Sequence, residues 1–209
     1  AGAPAFTAGK HGQAIALNGS TDYLQLSPRL GDSADWSFAG WVYWNGGGSW
    51  QRVFDLGADD SHYLFLSPRS AGGSLRFAIN SGRGEQQLSG PALPTNVWTH
   101  VAVTISGNTG KLFVNGVQVA VNTSMSINPG DVGTKYNYLG RSRFSADPYF
   151  NGRFDDFRFF SSALTDSQVA AIYNTPPPQF RASPLHKPGA AVGQAYNATL
   201  AGDATGIGA

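Results

Sequence analysis

LPTNVWTHVAVTISGNTGKLFVNG, residues 93–116, is the stretch whose reading decides the fold. It reads as a strand over Trp98–Ile105, a tight turn, and a second strand over Lys111–Val114. Asn115-Gly116 then invites another reversal, because both residues tolerate positive φ. Sequence spent in this way builds antiparallel sheet and little catalytic machinery.

The same grammar extends outward in both directions. Ala14–Leu17 and Tyr23–Leu26 are short strands around the turn Asn18–Asp22. WSFAGWVYW, residues 36–44, alternates with a period of two. Trp36, Phe38, Val42 and Trp44 share one face, and Trp41 and Tyr43 lie on the other. A strand bulky on both faces is either covered on both sides or lines a binding surface. Further strands are expected at Arg52–Leu56, Tyr63–Ser67, Leu75–Asn80, Gln86–Leu88, Val117–Val121, Tyr136–Gly140 and Phe154–Phe160. About twelve short strands with turn signals every ~8–12 residues predict an all-β, two-sheet antiparallel sandwich. One short C-terminal helix is expected over Asp166–Tyr173, where Thr165 and Gln168 make a capping box. Trp36, Trp41 and Trp98 are assigned to the core, and Trp44 fits either side.

Composition limits the partners. The 209 residues are 41% hydrophobic and 12% aromatic, enough for a core without covalent staples. The net charge is +1 and the 14 basic residues are scattered, which leaves no electrostatic footprint for nucleic acid or an anionic membrane. No cysteine is present, so disulfides, thiolate metal sites and a cysteine nucleophile are excluded. No apolar run approaches the ~20 residues of a membrane span. The low-charge, Ser/Thr/Asn/Gly-rich chain suits a secreted or cell-surface setting, and its start, AGAPAFTAGK, reads as processed or excised. Residues 1–175 read as one sandwich domain. Pro176–Pro178 cannot continue a helix and make an extended linker. Residues 179–209 are expected to be the opening of a further module or a disordered tail.

Four blocks, in order, resemble a known family: ALNGSTDYLQL (16–26), WSFAGWVYWN (36–45), LPTNVWTHVAVTISGNTGKLFVNGVQV (93–119), and YLGRSRF (138–144) with YFNGRFDDFRFFSSALTDSQVAAIY (149–173). Together they are similar to the concanavalin A-like, laminin-G-like jelly-roll domains over residues ~10–175. The tail ASPLHKPGAAVGQAYNATLAGD (182–203) resembles the start of an immunoglobulin-like or cadherin-like repeat. The resemblance implies a jelly-roll sandwich, often carrying structural calcium. It also implies a non-catalytic module that binds polysaccharide or another glycan, beside other modules of a secreted bacterial polypeptide. A protein-interaction or spacer domain of an adhesin is the alternative, and a polysaccharide-degrading enzyme a third reading. Fold alone does not choose among them.

The residues argue against catalysis. Glu85 is the single glutamate, so the E-x-D-x-x-E-type spacing of a sandwich glucanase cannot occur here, and only a pair of aspartates could stand in for it. Asp155 and Asp156 are adjacent, and in a regular strand they point to opposite faces. His11, His62, His100 and His186 show no metal-ligand spacing, and no phosphate loop or nucleophile elbow is present. His100 is expected to be a hydrogen-bonded structural histidine.

The resemblance places calcium between the first and last strands, at Asn18, Gly19 and Asp155, with Asp156 beside them. By alternation Asp155 shares a face with Phe157 and Phe159, and a carboxylate in that setting needs a partner or a metal. Asp59, Asp60 and Asp147 form a second candidate metal set in loops. For a glycan, the expected platform is Trp50, because Asn45–Ser49 before it has no strand character to pack the indole on. Tyr149, Arg141, Arg143, Asp59, Asp60 and His62 are the further candidates for stacking and polar contact.

Overall fold

The computed structural model describes residues 2, 4–175, 179–180 and 204–205. They fall into two units, 1–174 and 175–209. In the second unit Gln179–Phe180 pairs antiparallel with Ala204–Thr205. The expectations for the rest of 176–209 lie outside the described residues.

The first unit holds strands β1 (Ala5–Ala8), β2 (Gln13–Asn18), β3 (Leu24–Leu26), β4 (Trp36–Trp44), β5 (Phe54–Asp59), β6 (His62–Ser67) and β7 (Ser74–Ser81). It continues with β8 (Gln86–Pro91), β9 (Trp98–Ser106), β10 (Thr109–Val114), β11 (Val117–Asn122), β12 (Tyr136–Leu139) and β13 (Asn151–Phe160), then helix α1 (Asp166–Asn174). One sheet has the order β1-β2-β13-β4-β9-β10-β11 and the other β3-β12-β5-β6-β7-β8. Every strand pair among the described residues is antiparallel, so the architecture is the expected jelly-roll sandwich. Strand β1 was not legible in AFTA, whose residues are mostly exposed and carry no apolar alternation.

The opening stretch behaves as its residues require. Val103 pairs with Leu112 across the β9–β10 ladder. Asn115 and Gly116 then turn with φ of 50° and 78°, and β11 returns along β10. Between the sheets Trp36, Phe38, Val42 and Trp44 meet Phe54, Leu56, Leu64, Leu66, Phe77 and Ile79. Trp44 is therefore core, and its indole N–H donates to Gln51 Oε1 at 3.0 Å. The opposite face of β4 is also covered. Ala39, Ala102 and Phe113 pack under Val169 of α1, which the Thr165–Gln168 capping box starts: Thr165 N donates to Gln168 Oε1 and Gln168 N to Thr165 Oγ1. Trp41 lies against His100 and Tyr173.

Three expectations fail here. Strand β13 carries a bulge between Asp155 and Arg158, with Asp156 at φ 51°. The extra residue resets the alternation. Phe154, Phe157 and Phe159 all turn to the core, so Asp155 does not share their face. Trp98 is only half-buried: it pairs with Tyr43 on the outer face, where Arg153 lies 3.9 Å from the Tyr43 ring and 5.5 Å from the Trp98 ring. His100 is fully buried, yet neither ring nitrogen has a hydrogen-bond partner. Burial first, then nearby Arg158, pushes its pKa down to about 4, so the ring packs as a neutral aromatic body.

Candidate functional site

The helix covers the outer side of the seven-stranded sheet. The outer side of the six-stranded sheet carries the chemistry. Register aligns Tyr138, Asp55, Phe65 and Ala78 in one row across β12, β5, β6 and β7. Gly57, Tyr63 and Asn80 form the next row. Tyr63, Phe65 and Ala78 make an apolar floor against which Trp50 and Phe144 pack.

Trp50 is aimed outward by its neighbours. Gln51 is drawn inward: its Oε1 accepts from Trp44 Nε1 and Asn151 N, and its Nε2 donates to Gly46 O. Trp50 takes φ 68°, a left-handed conformation costly for a bulky residue. Its N–H donates to Arg69 O and its carbonyl accepts from Arg52 Nη1, which holds the strained residue from both sides. The half-buried indole stands edge-on to Phe65 at 6.3 Å, with the guanidinium of Arg76 5.7 Å from its ring.

Polar groups ring this platform. Glu85 Oε2 accepts from the Tyr63 hydroxyl at 3.0 Å, and its Oε1 lies 3.8 Å from Arg76 Nη1. Burial raises the Tyr63 pKa, so the phenol stays a donor. Arg76 Nε is buried without a partner among the described residues. Arg52 lies against Phe65 at 4.0 Å, donates to Asp147 at 2.7 Å, and has Nε 3.5 Å from Asp55 Oδ2 without hydrogen-bond geometry. Burial pulls the Arg52 pKa below its ordinary value, and Asp147 and Asp55 oppose that pull. The result is an aromatic floor edged by donors and acceptors, the chemistry that reads the apolar face and hydroxyl edge of a sugar ring.

The loop after β12 folds onto the same face. Arg143 spends its guanidinium on Asp55 Oδ1, Asp59 O and Tyr136 O, and is a structural clamp. Phe144 meets Tyr63 edge-on, and Asp147 reaches Arg52. Arg141 lies over Tyr23 at 4.8 Å and Tyr138 at 4.9 Å, with Tyr149 beside Tyr23. Arg141, Tyr23 and Tyr149, with Gly2 and Thr21, line a cleft of ≈ 480 Å³.

The sequence-predicted candidates thus divide. Trp50, Arg141 and Tyr149 stand on the open face. Asp59 and His62 are bound to each other at the β5–β6 turn, where Asp59 Oδ1 also accepts from Ser61 N and His62 N. Those hydrogen bonds, His62 first, hold the Asp59 carboxyl well below the usual carboxylate range. Asp60 sits exposed at the tip of that turn.

The calcium set is not brought together. Asn18 pairs with Asn151, four residues before Asp155, or ~13 Å along an extended strand. Asn18 Oδ1 accepts the amides of Ser20, Thr21 and Asp22, while Gly19 turns at φ 74° beside Asn151. Asp155 Oδ2 accepts from His11 N at 2.7 Å, and Asp156 is held by two donors of Arg158. Asn18 Oδ1, Asp155 Oδ2 and both Asp156 carboxylate oxygens are thus engaged in different places, and the four residues do not converge on one metal centre. Among the described residues no group of three or more His, Asp or Glu converges on a metal position either, which also leaves Asp59, Asp60 and Asp147 as separate residues.

Arg52, Tyr63, Phe65, Arg76, Glu85 and Phe144 escaped the sequence reading. A signal was present: Tyr63 and Phe65 alternate with Leu64 and Leu66, and Arg76 with Leu75 and Phe77, so both strands carry large residues on two faces.

The comparisons agree with this architecture. Domain 4 of AbnA, a GH43 extracellular arabinanase from Geobacillus stearothermophilus, solved in complex with arabinotriose, is similar with a TM-score of 0.71 and 27% identity, covering 82% of this chain and 81% of that one. The CBM40 of the Ruminococcus gnavus sialidase, bound to α2,3-sialyllactose, shares the fold with a TM-score of 0.66 and 17% identity, over 77% of this chain and 96% of that one. An α-L-arabinofuranosidase of Bifidobacterium longum subsp. longum is 25% identical over 183 residues, covering 78% of this chain. The chain spans 17% of that relative's length. A family model, Laminin_G_3, matches residues 18–170, and the chain belongs to the concanavalin A-like lectin/glucanase superfamily.

Proposed function

We propose that this domain is a non-catalytic carbohydrate-binding module of a secreted protein and that its ligand is an arabinofuranosyl oligosaccharide. The observation that carries the reading is Trp50, held in a strained backbone conformation on an open sheet face between Arg76, Glu85 and Phe65. A sugar stacks on the exposed part of the indole. Arg76 donates to its hydroxyls and Glu85 accepts from them. The choice of arabinose is supported by the 27% identity to a domain solved with arabinotriose, and an extracellular setting by that domain's belonging to an extracellular arabinanase.

A binding role is also supported by how the acids are used. Asp55 is engaged by Arg143, Asp147 by Arg52 and Ser142, and Asp59 by His62 and Ser61. Glu85 accepts from the Tyr63 hydroxyl and lies beside Arg76.

Titration calorimetry with arabinotriose tests the reading. Wild type binds, and Trp50→Ala weakens binding by about tenfold or more, the loss of one stacking contact plus its flanking hydrogen bonds. No heat with arabinotriose, and no retention on an arabinan affinity gel, would instead favour an interaction or spacer module.

A further inference from the structure

The ≈ 480 Å³ cleft at the other end of this face has a different electrostatic character from the Trp50 platform. At the platform, Arg52 is balanced by Asp55 and Asp147, and Arg76 by Glu85. In the cleft, Arg141 is half-buried and lies over the rings of Tyr23 and Tyr138. No carboxylate among the described residues lies within 4.0 Å of its guanidinium, and it makes no hydrogen bond to them. The adjacent acid, Asp22, is buried: its Oδ2 accepts from Asn18 N at 3.3 Å, and its Oδ1 lies against Gly2 and, at 3.5 Å, the Thr21 hydroxyl. The cleft therefore presents a cation without a counter-charge among the described residues, set over two aromatic rings and beside the third ring of Tyr149.

We propose that this cleft is a second carbohydrate subsite, specific for a carboxylate-bearing sugar, a uronic acid residue. A planar guanidinium matches a carboxylate with two parallel N–H donors, and a half-desolvated cation gains most from an anion that completes its coordination. Tyr23 and Tyr149 supply ring faces for the C–H side of the sugar, and their hydroxyls meet its polar edge. A neutral arabinosyl unit leaves the Arg141 charge unmatched, so the two ends of the face discriminate by charge. Tyr138 and Phe65 are two strand spacings apart, ~10 Å, so one polymer carrying neutral and acidic residues can reach both. The inference rests on the glycan-binding reading of the domain but on separate residues.

The test is calorimetry of the whole chain with trigalacturonate and, separately, with arabinotriose, on wild type, Arg141→Gln, Arg141→Lys and Trp50→Ala. Galacturonate affinity is expected to fall about tenfold or more in Arg141→Gln, to fall less in Arg141→Lys, and to weaken as salt rises from 50 to 500 mM, ~10-fold in the ion available for screening. Arabinotriose affinity should stay within about twofold in both Arg141 variants. Unchanged galacturonate binding in Arg141→Gln, or no galacturonate binding by a wild type that binds arabinotriose, overturns the inference. Galacturonate binding that depends on Arg141 in a protein that ignores arabinotriose supports it and overturns the arabinose reading instead. Thermal melts of each variant confirm that a loss is not unfolding.

Discussion

Arg52 and Asp147 are 95 positions apart and meet at 2.7 Å, with the Arg52 side chain almost wholly buried. That bond ties the loop after β12 to the floor of the open face, and Ser142 Oγ donates to the same carboxylate oxygen at 2.8 Å. Asp147→Asn removes the charge that answers a buried guanidinium and leaves Asp55 as its remaining acid. A stability loss of about 2 kcal/mol is expected, since a charged group left short of a buried partner costs more than the bond itself was worth. Urea unfolding with an unchanged m-value measures it.

Gly40 sits under the ring of Phe157, which a Cβ at that position would overlap at two ring carbons and crowd at a third. Gly40→Ala forces that ring out of place and is expected to cost about 1–3 kcal/mol by overpacking. Gly72, where an added Cβ meets only Ser70 Oγ at 3.9 Å, is the control. Gly72→Ala should stay within ~0.5 kcal/mol of wild type in the same denaturation assay.

The neutral, buried His100 makes stability pH-dependent. Its pKa is about 4 in the folded protein against an ordinary value of 6.5. The unfolded chain therefore takes up a proton that the folded chain refuses between these values. The contribution of the neutral ring is complete above pH 6.5 and is lost as pH falls toward 4, by about 3 kcal/mol in all. Denaturation midpoints at pH 7.5, 6 and 5 should fall in that order for wild type. The slope should be shallower in His100→Leu, and an equal slope in both proteins would refute the assignment.

Trp50 separates binding from folding. At φ 68° glycine is preferred over alanine by about 1 kcal/mol, since only glycine avoids the Cβ clash. Trp50→Gly is therefore expected to be more stable than Trp50→Ala, while both lose arabinotriose binding alike. Paired melting curves and calorimetry on the two variants check this.

The fold was legible because alternation, turn chemistry and capping act locally. Trp36, Phe38, Val42 and Trp44 announce a core face by spacing alone, Asn115-Gly116 announces a reversal, and Thr165 with Gln168 announces a helix start. The platform was legible only at Trp50, whose indole packs on the Tyr63–Phe65 floor rather than being left without a sheet, and the separate cleft only at Arg141 and Tyr149. Arg143, Asp59 and His62 carry the same residue types but are consumed by bonds to Asp55, to Tyr136 O and to each other. Nothing local distinguishes a guanidinium that clamps a loop from one that meets a ligand.

By itself the sequence determined the sandwich, its capped helix, the absence of thiol chemistry and the want of a second glutamate, because these follow from periodicity and inventory. Only the tertiary structure decided which side each acid faces and which side chains meet. One extra residue at Asp156 turned Phe157 and Phe159 to the core, away from the face of Asp155, and the β2–β13 register carried Asn18 away from Asp155. The platform itself gathers Trp50, Phe65, Arg76 and Glu85 from separate segments onto one sheet face. Register and long-range pairing are properties of the assembled sheet, where a one-residue slip reverses every face, so no window of the chain contains them.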